Sequence, residues 1–341
     1  MNGNATFRHT GTALLAITGL EAPVVVPSSH FDDELAGTLK RLRLPRGLLQ
    51  RVAGVKERRW WDAGTAFDEA AIAAGAKALA ESGVDAADVG LLINTSVTRA
   101  HLEPSVASKV HDGLGLPPSA LNFDVTNACL GFVNGLTLAA GMIDSGQIRY
   151  ALIVDGEDPQ ATQEGTIARL NRPGTTREDY LREFATLTLG SGAAAAVLGP
   201  VDDHPGAHRV LGGVSRAATQ HHGLCVGGID AGMQTDATGL LENGLALVQE
   251  AWHEAEPEWG WSGVDRFVMH QVSTIHIKRI VEELGLDRRA VPLTFPHLGN
   301  VGPASVPITL AAEADSLSAG DRVLCMGVGS GLNTAMTEIV W

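Results

Sequence analysis

The chain repeats itself once, and that repeat limits its fold more than any other feature. Ser82-Gly83-Val84-Asp85 leads into an apolar run ending Leu92-Ile93-Asn94, and Ser262-Gly263-Val264-Asp265 leads into Phe267-Val268-Met269-His270. Leu136-Thr137-Leu138-Ala139-Ala140 returns as Ile308-Thr309-Leu310-Ala311-Ala312. Each is followed by a Ser/Gly turn and a strand-like run, Tyr150 to Val154 and Arg322 to Gly327. Short echoes arise by chance in Ala/Leu/Gly-rich sequence, but their shared order and spacing argue for duplication. The expectation is two pseudo-symmetric halves, residues 1–200 and 201–341, meeting at a shared central face. A charged segment at about 157–187, with Pro159, Pro173 and Gly174, is read as an insertion that caps or lines a site.

Local patterning agrees on the class. Val89–Asn94 and Tyr150–Val154 are short apolar runs of the buried, parallel kind. Thr12–Val26 reads as strands, and Leu121–Val125 as another. Leu187–Leu198, Val210–Ala218 and Arg322–Val328 read as further strands. Phe31–Val52 reads as a helix with a basic face, and Thr65–Ser82 as a helix opened by Thr65 and Asp68. Thr238–Glu254, Ser273–Leu284 and Pro303–Ser316 are further helices. Strands alternating with helices predict an α/β fold with largely parallel sheets.

With 45% hydrophobic and 19% charged residues, 341 residues can build a sizeable core. A net charge of −14 argues against nucleic acid or an anionic membrane as the main partner. Three cysteines make no disulfide framework and suggest a reducing, cytoplasmic setting. No signal peptide is recognisable, and no apolar run approaches the roughly 18–20 residues that cross a bilayer.

Chemistry concentrates at Asp124-Val125-Thr126-Asn127-Ala128-Cys129-Leu130-Gly131, where a strand gives way to a helix running to about Ser145. A cysteine at a helix start meets unpaired N–H groups and the positive dipole end, which favour the thiolate. A lone cysteine is more often a small packed hydrophobe, so the case rests on partners. In the aligned repeat Cys129 falls at the start of one helix and Asn300 just before the start of the other. His270 ends the strand that matches the one ending at Asn94. A Cys thiolate can hold an acyl group covalently, while a neutral His and an Asn amide donate to an enolate oxygen. Gly327-Val328-Gly329-Ser330-Gly331 can add backbone N–H groups to an oxyanion hole; it lies too near the end of the sequence to open a dinucleotide-binding unit. Arg58, Arg59 and Trp60 form a basic, aromatic stretch that either packs as a loop or clamps a phosphorylated, adenine-bearing ligand. The 12 histidines show no metal-ligand spacing, so no metal is expected. Cys225 and Cys325 lack the helix-start context and are read as inert.

These motifs, in order, resemble the β-ketoacyl-ACP synthase III group of the thiolase superfamily: Asn127-Ala128-Cys129, His270-Gln271, Gly299-Asn300, Gly54 to Arg59 and the closing glycine-rich strand. The resemblance covers nearly the whole chain. It implies a five-layer αβαβα fold, a homodimer, and a Cys129, His270, Asn300 triad with Ser330 supplying the second oxyanion-hole N–H. Asn94 to Arg99, Glu103, Phe123 to Phe132, Gly302 to Pro307 and Gly329 to Asn333 most resemble the acyl-CoA condensing enzymes of bacterial long-chain olefin biosynthesis, the OleA type. Ordinary initiators carry an aromatic residue where Glu103 stands. Joining two plain acyl thioesters requires removal of a Cα proton, and a carboxylate is the natural base. The resemblance implies that Glu103 serves the partner subunit's site, that acyl-CoA is the substrate, that no cofactor is needed, and that pathway enzymes take up the product. Taken alone, Glu103 reads as an ordinary acid at a helix N-terminus.

Rival readings remain open at this level. Among enzymes they are decarboxylative condensation with a malonyl donor and a hydroxymethylglutaryl-type condensation. Outside enzymes it is a non-catalytic thiolase-fold partner subunit, against which the presence of Cys129 stands.

Overall fold

A computed structural model describes residues 6–228 and 232–341. The first half runs β1 (Thr6–Arg8), β2 (Thr12–Glu21), β3 (Val24–Pro27), α1 (Ser28–Glu34), α2 (Ala36–Leu42), β4 (Glu57–Trp60), α3 (Phe67–Ser82), β5 (Val89–Asn94), α4 (Val106–Gly113) and β6 (Leu121–Asp124). It continues through α5 (Gly131–Asp144), β7 (Tyr150–Glu157), α6 (Gln160–Leu170), α7 (Arg177–Glu183) and β8 (Gly192–Pro200). The second half runs β9 (His208–Ala217), β10 (Cys225–Gly228), β11 (Gly232–Thr235), α8 (Ala237–Trp259), β12 (Arg266–Met269) and α9 (Thr274–Leu284), then α10 (Phe295–Leu298), α11 (Ser305–Glu313), β13 (Arg322–Gly329) and β14 (Asn333–Val340).

The main sheet follows the path β12-β13-β14-β9-β2-β8-β7-β5-β6, with β1 on β9. Divided between β9 and β2, the four strands nearest the division share a plan on each side, and β6 lies beyond β5 on one side. Strands β5 and β7 are parallel, as are β12 and β13, and the next two pairings on each side are antiparallel. The seam is two residue pairs, Ala13 with Arg209 and Leu14 with His208.

Alternation along the strands sorts side chains into layers. On β7, Ala151 and Ile153 face one way, into a core shared with α5 and α11; Leu152 and Val154 face the other way, onto α3 and α4. On β13, Val323 and Cys325 join the same central core, whereas Leu324 and Met326 pack beneath α8 and α9. Five layers result: α3/α4, sheet, α5/α11, sheet, α8/α9. The expected αβαβα architecture is the observed one. The apolar run of β7 is buried on both faces, as a strand between two helical layers must be.

Several elements depart from expectation. The single helix over Phe31–Val52 is broken. It ends at Leu42 with Arg43 in the left-handed region (φ 53°), and a short π-helix resumes only at Leu49. Pro45 and Gly47, between them, disfavour continuous helix. Helix α3 opens at Ala66, one residue later than expected, and the Glu69 carboxylate accepts from the Ala66 N–H at 3.2 Å. The segment expected as an insertion from Glu157 begins later, because β7 runs through Glu157. Helices α6 and α7 then pack Ile167, Leu170 and Tyr180 against Phe31, Leu35 and Leu39 of the α1–α2 region. The β10–β11 hairpin and β14 were not read from the sequence. No helix among the described residues is long and apolar enough to cross a membrane.

Candidate active site

Between β6 and α5 the chain makes a tight turn that presents Cys129. The Leu130 N–H donates to Asn127 O at 3.0 Å and the Gly131 N–H to Ala128 O at 3.2 Å. Ala128 takes φ 45°, a left-handed conformation that an alanine adopts only under constraint. The constraint comes from Asn127, whose amide donates to Asn134 Oδ1 of α5 at 2.8 Å and accepts from Asn333 Nδ2 of β14 at 3.3 Å. Gly329 closes against the same turn: a Cβ there would sit 3.0 Å from Asn127 O. The β13–β14 turn, with half-buried Ser330, is thereby held beside the cysteine's turn. Gly131 starts α5 where a Cβ would lie 2.9 Å from Thr95 O and 3.0 Å from Val125 O.

The charge state of Cys129 differs from the expectation. It keeps partial exposure, but burial pushes its thiol up to about 12, helped by the Cys225 thiol and the carboxyls of Glu157 and Asp155, against a backbone hydrogen bond that lowers it. Desolvation and negative neighbours outweigh the helix start, and the resting group is the thiol.

His270 follows β12, its N–H donating to Met326 O at 2.8 Å. The ring is buried and Nδ1 has no protein partner. Burial, and to a lesser degree His276, lowers its pKa to about 3, so the imidazole is neutral at ordinary pH. Next to Met326, Gly327 lies against the Leu130 side chain, so the end of β12 is linked through β13 to the cysteine turn. Gln271 has a structural task that its sequence position did not reveal. Its amide donates to Met269 O at 2.9 Å and its Oε1 accepts from the Thr294 N–H at 2.9 Å, bracing the segment that leads through α10 to Asn300. Asn300 is fixed by its own backbone, donating to Thr188 O at 2.9 Å and accepting from the Gly190 N–H at 3.0 Å. Its Oδ1 accepts from the Gly302 N–H at 3.0 Å. Helix α11 starts at Ser305, after a 3-10 turn over Gly302–Ala304, and so later than the repeat suggested.

Two carboxyls missed in the sequence lie between these parts. Asp155 and Glu157 share one face of β7, both buried. Glu157 accepts from the Val97 N–H at 2.6 Å, the Thr98 N–H at 3.1 Å and the Thr98 hydroxyl. Burial raises its pKa to about 7. Asp155 accepts from the Thr95 hydroxyl at 2.6 Å; burial and Glu157 hold its pKa well above the usual carboxylate range. The only sequence signal was two acids at strand spacing on an apolar run.

Glu103 lies apart, in the exposed loop His101–Pro104 between β5 and α4. Helix α4 is capped by Asp124 of β6, which accepts from the Val106 and Ala107 N–H groups at 3.0 and 2.9 Å. The basic segment is also not as expected. Arg58 is fully buried beneath the Phe31 ring and donates to Ser28 Oγ at 3.0 Å and Leu187 O at 2.6 Å. That guanidinium spends its hydrogen bonds inside the protein, bracing the α1 region against the chain after α7. Arg59 pairs with Glu57 at 2.7 Å and Glu21 at 3.5 Å. Trp60 donates to Gln163 Oε1 at 2.7 Å and packs edge-on against His30 and Phe31.

Known proteins place this arrangement. Residues 255–341 match the family described as 3-oxoacyl-[acyl-carrier-protein (ACP)] synthase III C terminal, and residues 123–163 match 3-oxoacyl-[acyl-carrier-protein (ACP)] synthase III. The chain is 42% identical over 333 residues to an acyl-CoA:acyl-CoA alkyltransferase of Xanthomonas campestris pv. campestris, covering 96% of this chain and 98% of that one. It is 36% identical over 335 residues to a protein of the same name from Shewanella oneidensis, covering 94% and 96%. Cerulenin-bound Xanthomonas campestris OleA superposes with a TM-score of 0.95 at 41% identity, covering 98% of each chain. A cysteine-to-serine form of that enzyme with bound lauric acid and lauroyl-CoA gives 0.95 at 41%, covering 97% and 99%.

Proposed function

The chain belongs to the thiolase-superfamily condensing enzymes, in the branch of the acyl-CoA:acyl-CoA alkyltransferases, and on that premise we propose that it joins two fatty acyl-CoA molecules by a non-decarboxylative Claisen condensation. The observation that carries the reading is a full-length likeness to an enzyme whose cysteine-to-serine form binds lauroyl-CoA. The cysteine turn described above supplies the matching nucleophile.

In the first half-reaction the Cys129 sulfur attacks the thioester carbonyl and its proton passes to the departing CoA sulfur. The N–H groups of Cys129 and Ser330 hold the oxyanion, and CoA leaves with the proton as free thiol. In the second, the Glu103 carboxylate removes a Cα proton from another acyl-CoA. The enolate oxygen accepts from His270 and from the Asn300 amide. The carbon attacks the acyl-enzyme, the carbon–sulfur bond breaks, and the Cys129 thiolate takes up one proton as Glu103 gives up the one it removed. The product is a 2-alkyl-3-ketoacyl-CoA, or the acid derived from it, passed to enzymes that build long-chain olefins. No cofactor takes part. Halves 1–200 and 201–341 are the units that carry Cys129 and the His270–Asn300 pair. Arg59 and Trp60, both partly exposed, meet the phosphorylated end of CoA; Arg58, buried, does not.

Glu103 acts across a homodimer in the cytoplasm. Exposed Leu102 and Val97 beside Glu103, with exposed Leu121 on the sheet's edge strand β6, support a mating surface there. Two measurements test the whole. Mass spectrometry of products from a long-chain acyl-CoA alone is expected to find the 2-alkyl-3-keto compound; an absolute need for a malonyl donor overturns the reading. Mixed dimers of C129A and E103Q chains are expected to recover activity that neither homodimer has, because one site keeps both groups. Failure to recover it places Glu103 in its own chain's site or out of the chemistry.

A further inference from the structure

We propose that Glu157 is a positioning residue for the condensation step: its carboxylate holds the Thr95–Arg99 loop, and through it the Glu103 that reaches the partner subunit's site, and it also braces the turn that carries this chain's own Asn300. The inference rests on the assignment of Glu103 as the base.

The loop after β5 is sewn to the end of β7 at every residue from Thr95 to Thr98. The Thr95 hydroxyl donates to Asp155, and the Ser96 hydroxyl accepts from the Gly156 N–H at 2.9 Å. Val97 and Thr98 donate to Glu157, and the Thr98 hydroxyl accepts from the Asp158 N–H at 3.1 Å. At the far end Arg99 donates to the Thr126 hydroxyl and pairs with Asp124 at 3.2 Å, fastening the loop to the strand and turn that precede Cys129. The exposed run to Glu103 begins just beyond. On its other side Glu157 meets Gly302: a Cβ there would lie 3.5 Å from the carboxyl carbon. Gly302 is also the donor that fixes the Asn300 amide. One buried carboxylate thus touches both the loop leading to the base and the turn holding the enolate's hydrogen-bond donor.

Glu157 is itself unsuited to take the Cα proton. Its oxygens already accept from Val97, Thr98 N–H and Thr98 hydroxyl, all donors. Asp155 supports it. Its Oδ1 is buried and makes no hydrogen bond, and burial together with Glu157 holds its pKa well above the usual carboxylate range. A proton kept on Asp155 spares the Glu157 carboxylate a buried like charge. As pH falls below about 7, Glu157 is itself protonated and an O–H comes to face those donors, which loosens the loop. The charged and titratable groups facing it are Asp155 on β7, Arg99 within the loop, Cys129 ahead of α5, and Asp124 of β6 behind Arg99. The turn Asn300–Ala304 brings none.

The test separates the half-reactions in Glu157→Gln. A burst of CoA release, one per acylated Cys129, is expected to persist. Steady-state condensation is expected to fall about 10- to 100-fold, the scale of a small misplacement of a reacting group. The acid limb near pH 7 should vanish from the condensation profile, and Val97 and Thr98 amides should exchange faster by hydrogen–deuterium mass spectrometry. Should Glu157→Gln fold poorly, Thr98→Val removes one donor from the same carboxylate and is expected to give the same pattern, weaker. Burst and turnover falling together, or exchange at Val97 and Thr98 unchanged, overturns the proposal. Glu103→Gln run beside it keeps the two readings apart. If Glu103→Gln abolishes condensation while Glu157→Gln leaves its rate unchanged, only the positioning role falls; if Glu103→Gln is silent, the base assignment falls.

Discussion

Asn300 presents its amide one way round. With Oδ1 accepting from Gly302, the Nδ2 hydrogens are the ones left for a ligand. Truncation in Asn300→Ala should slow condensation about 10²- to 10³-fold, the usual cost of one oxyanion donor. The near-isosteric Asn300→Asp should be slower still, since its free oxygen would face the enolate with like charge; steady-state product formation ranks the two. His270 makes a different demand. Its pKa is lowered from 6.5 to about 3 in the folded chain, so below pH 6.5 the unfolded chain binds the extra proton. Folding stability therefore drops as pH falls from about 6.5 toward 3, by up to about 1.4 kcal/mol per pH unit from this residue. His270→Asn should flatten that acid slope in urea-unfolding free energies measured at pH 5 and pH 6. The residues proposed to touch substrate were legible because their types are rare and chemical: a cysteine at a strand–helix junction, a histidine ending a strand. Gln271, Asp155 and Glu157 were not, because what they do depends on Thr294, Thr95 and Thr98, which only the fold brings to them.

At the scale of elements, the entry to α5 is the least forgiving place. Gly131 has Thr95 O and Val125 O within 3.0 Å of where a Cβ would stand, both backbone atoms that cannot swing away. Gly131→Ala should cost about 1–3 kcal/mol in urea unfolding and slow the burst of CoA release by shifting Cys129 from its turn. Strands were read well where apolar runs were unbroken: β5 ended where expected, while β7 ran three residues further because its polar end, Asp155 and Glu157, is held inside by hydrogen bonds. The start of α3 was read one residue early, because the carboxylate that accepts from its N-cap N–H is Glu69 rather than Asp68. The basic periodicity of Phe31–Val52 hid a break because charge patterning says nothing about the left-handed turn at Arg43.

For the whole molecule, one parallel pairing followed by two antiparallel ones recurs on each side of a seam of two residue pairs. So thin a seam does not hold the halves together; the central core does, combining Leu14, Ile93 and Leu136 with Val268, Leu310 and Val323. Calorimetry or urea titration followed by two probes should therefore give one transition, and two separate transitions would mean that each half folds alone. The exposed patch around Leu102, 82% accessible, has a further consequence. Two copies mating there would bring together chains of net charge −14 each. Added salt screens that repulsion and strengthens apolar contact, so sedimentation should find pairing tighter in 0.5 M sodium sulfate than in dilute buffer, and dilution in low salt should silence turnover before it unfolds the chain.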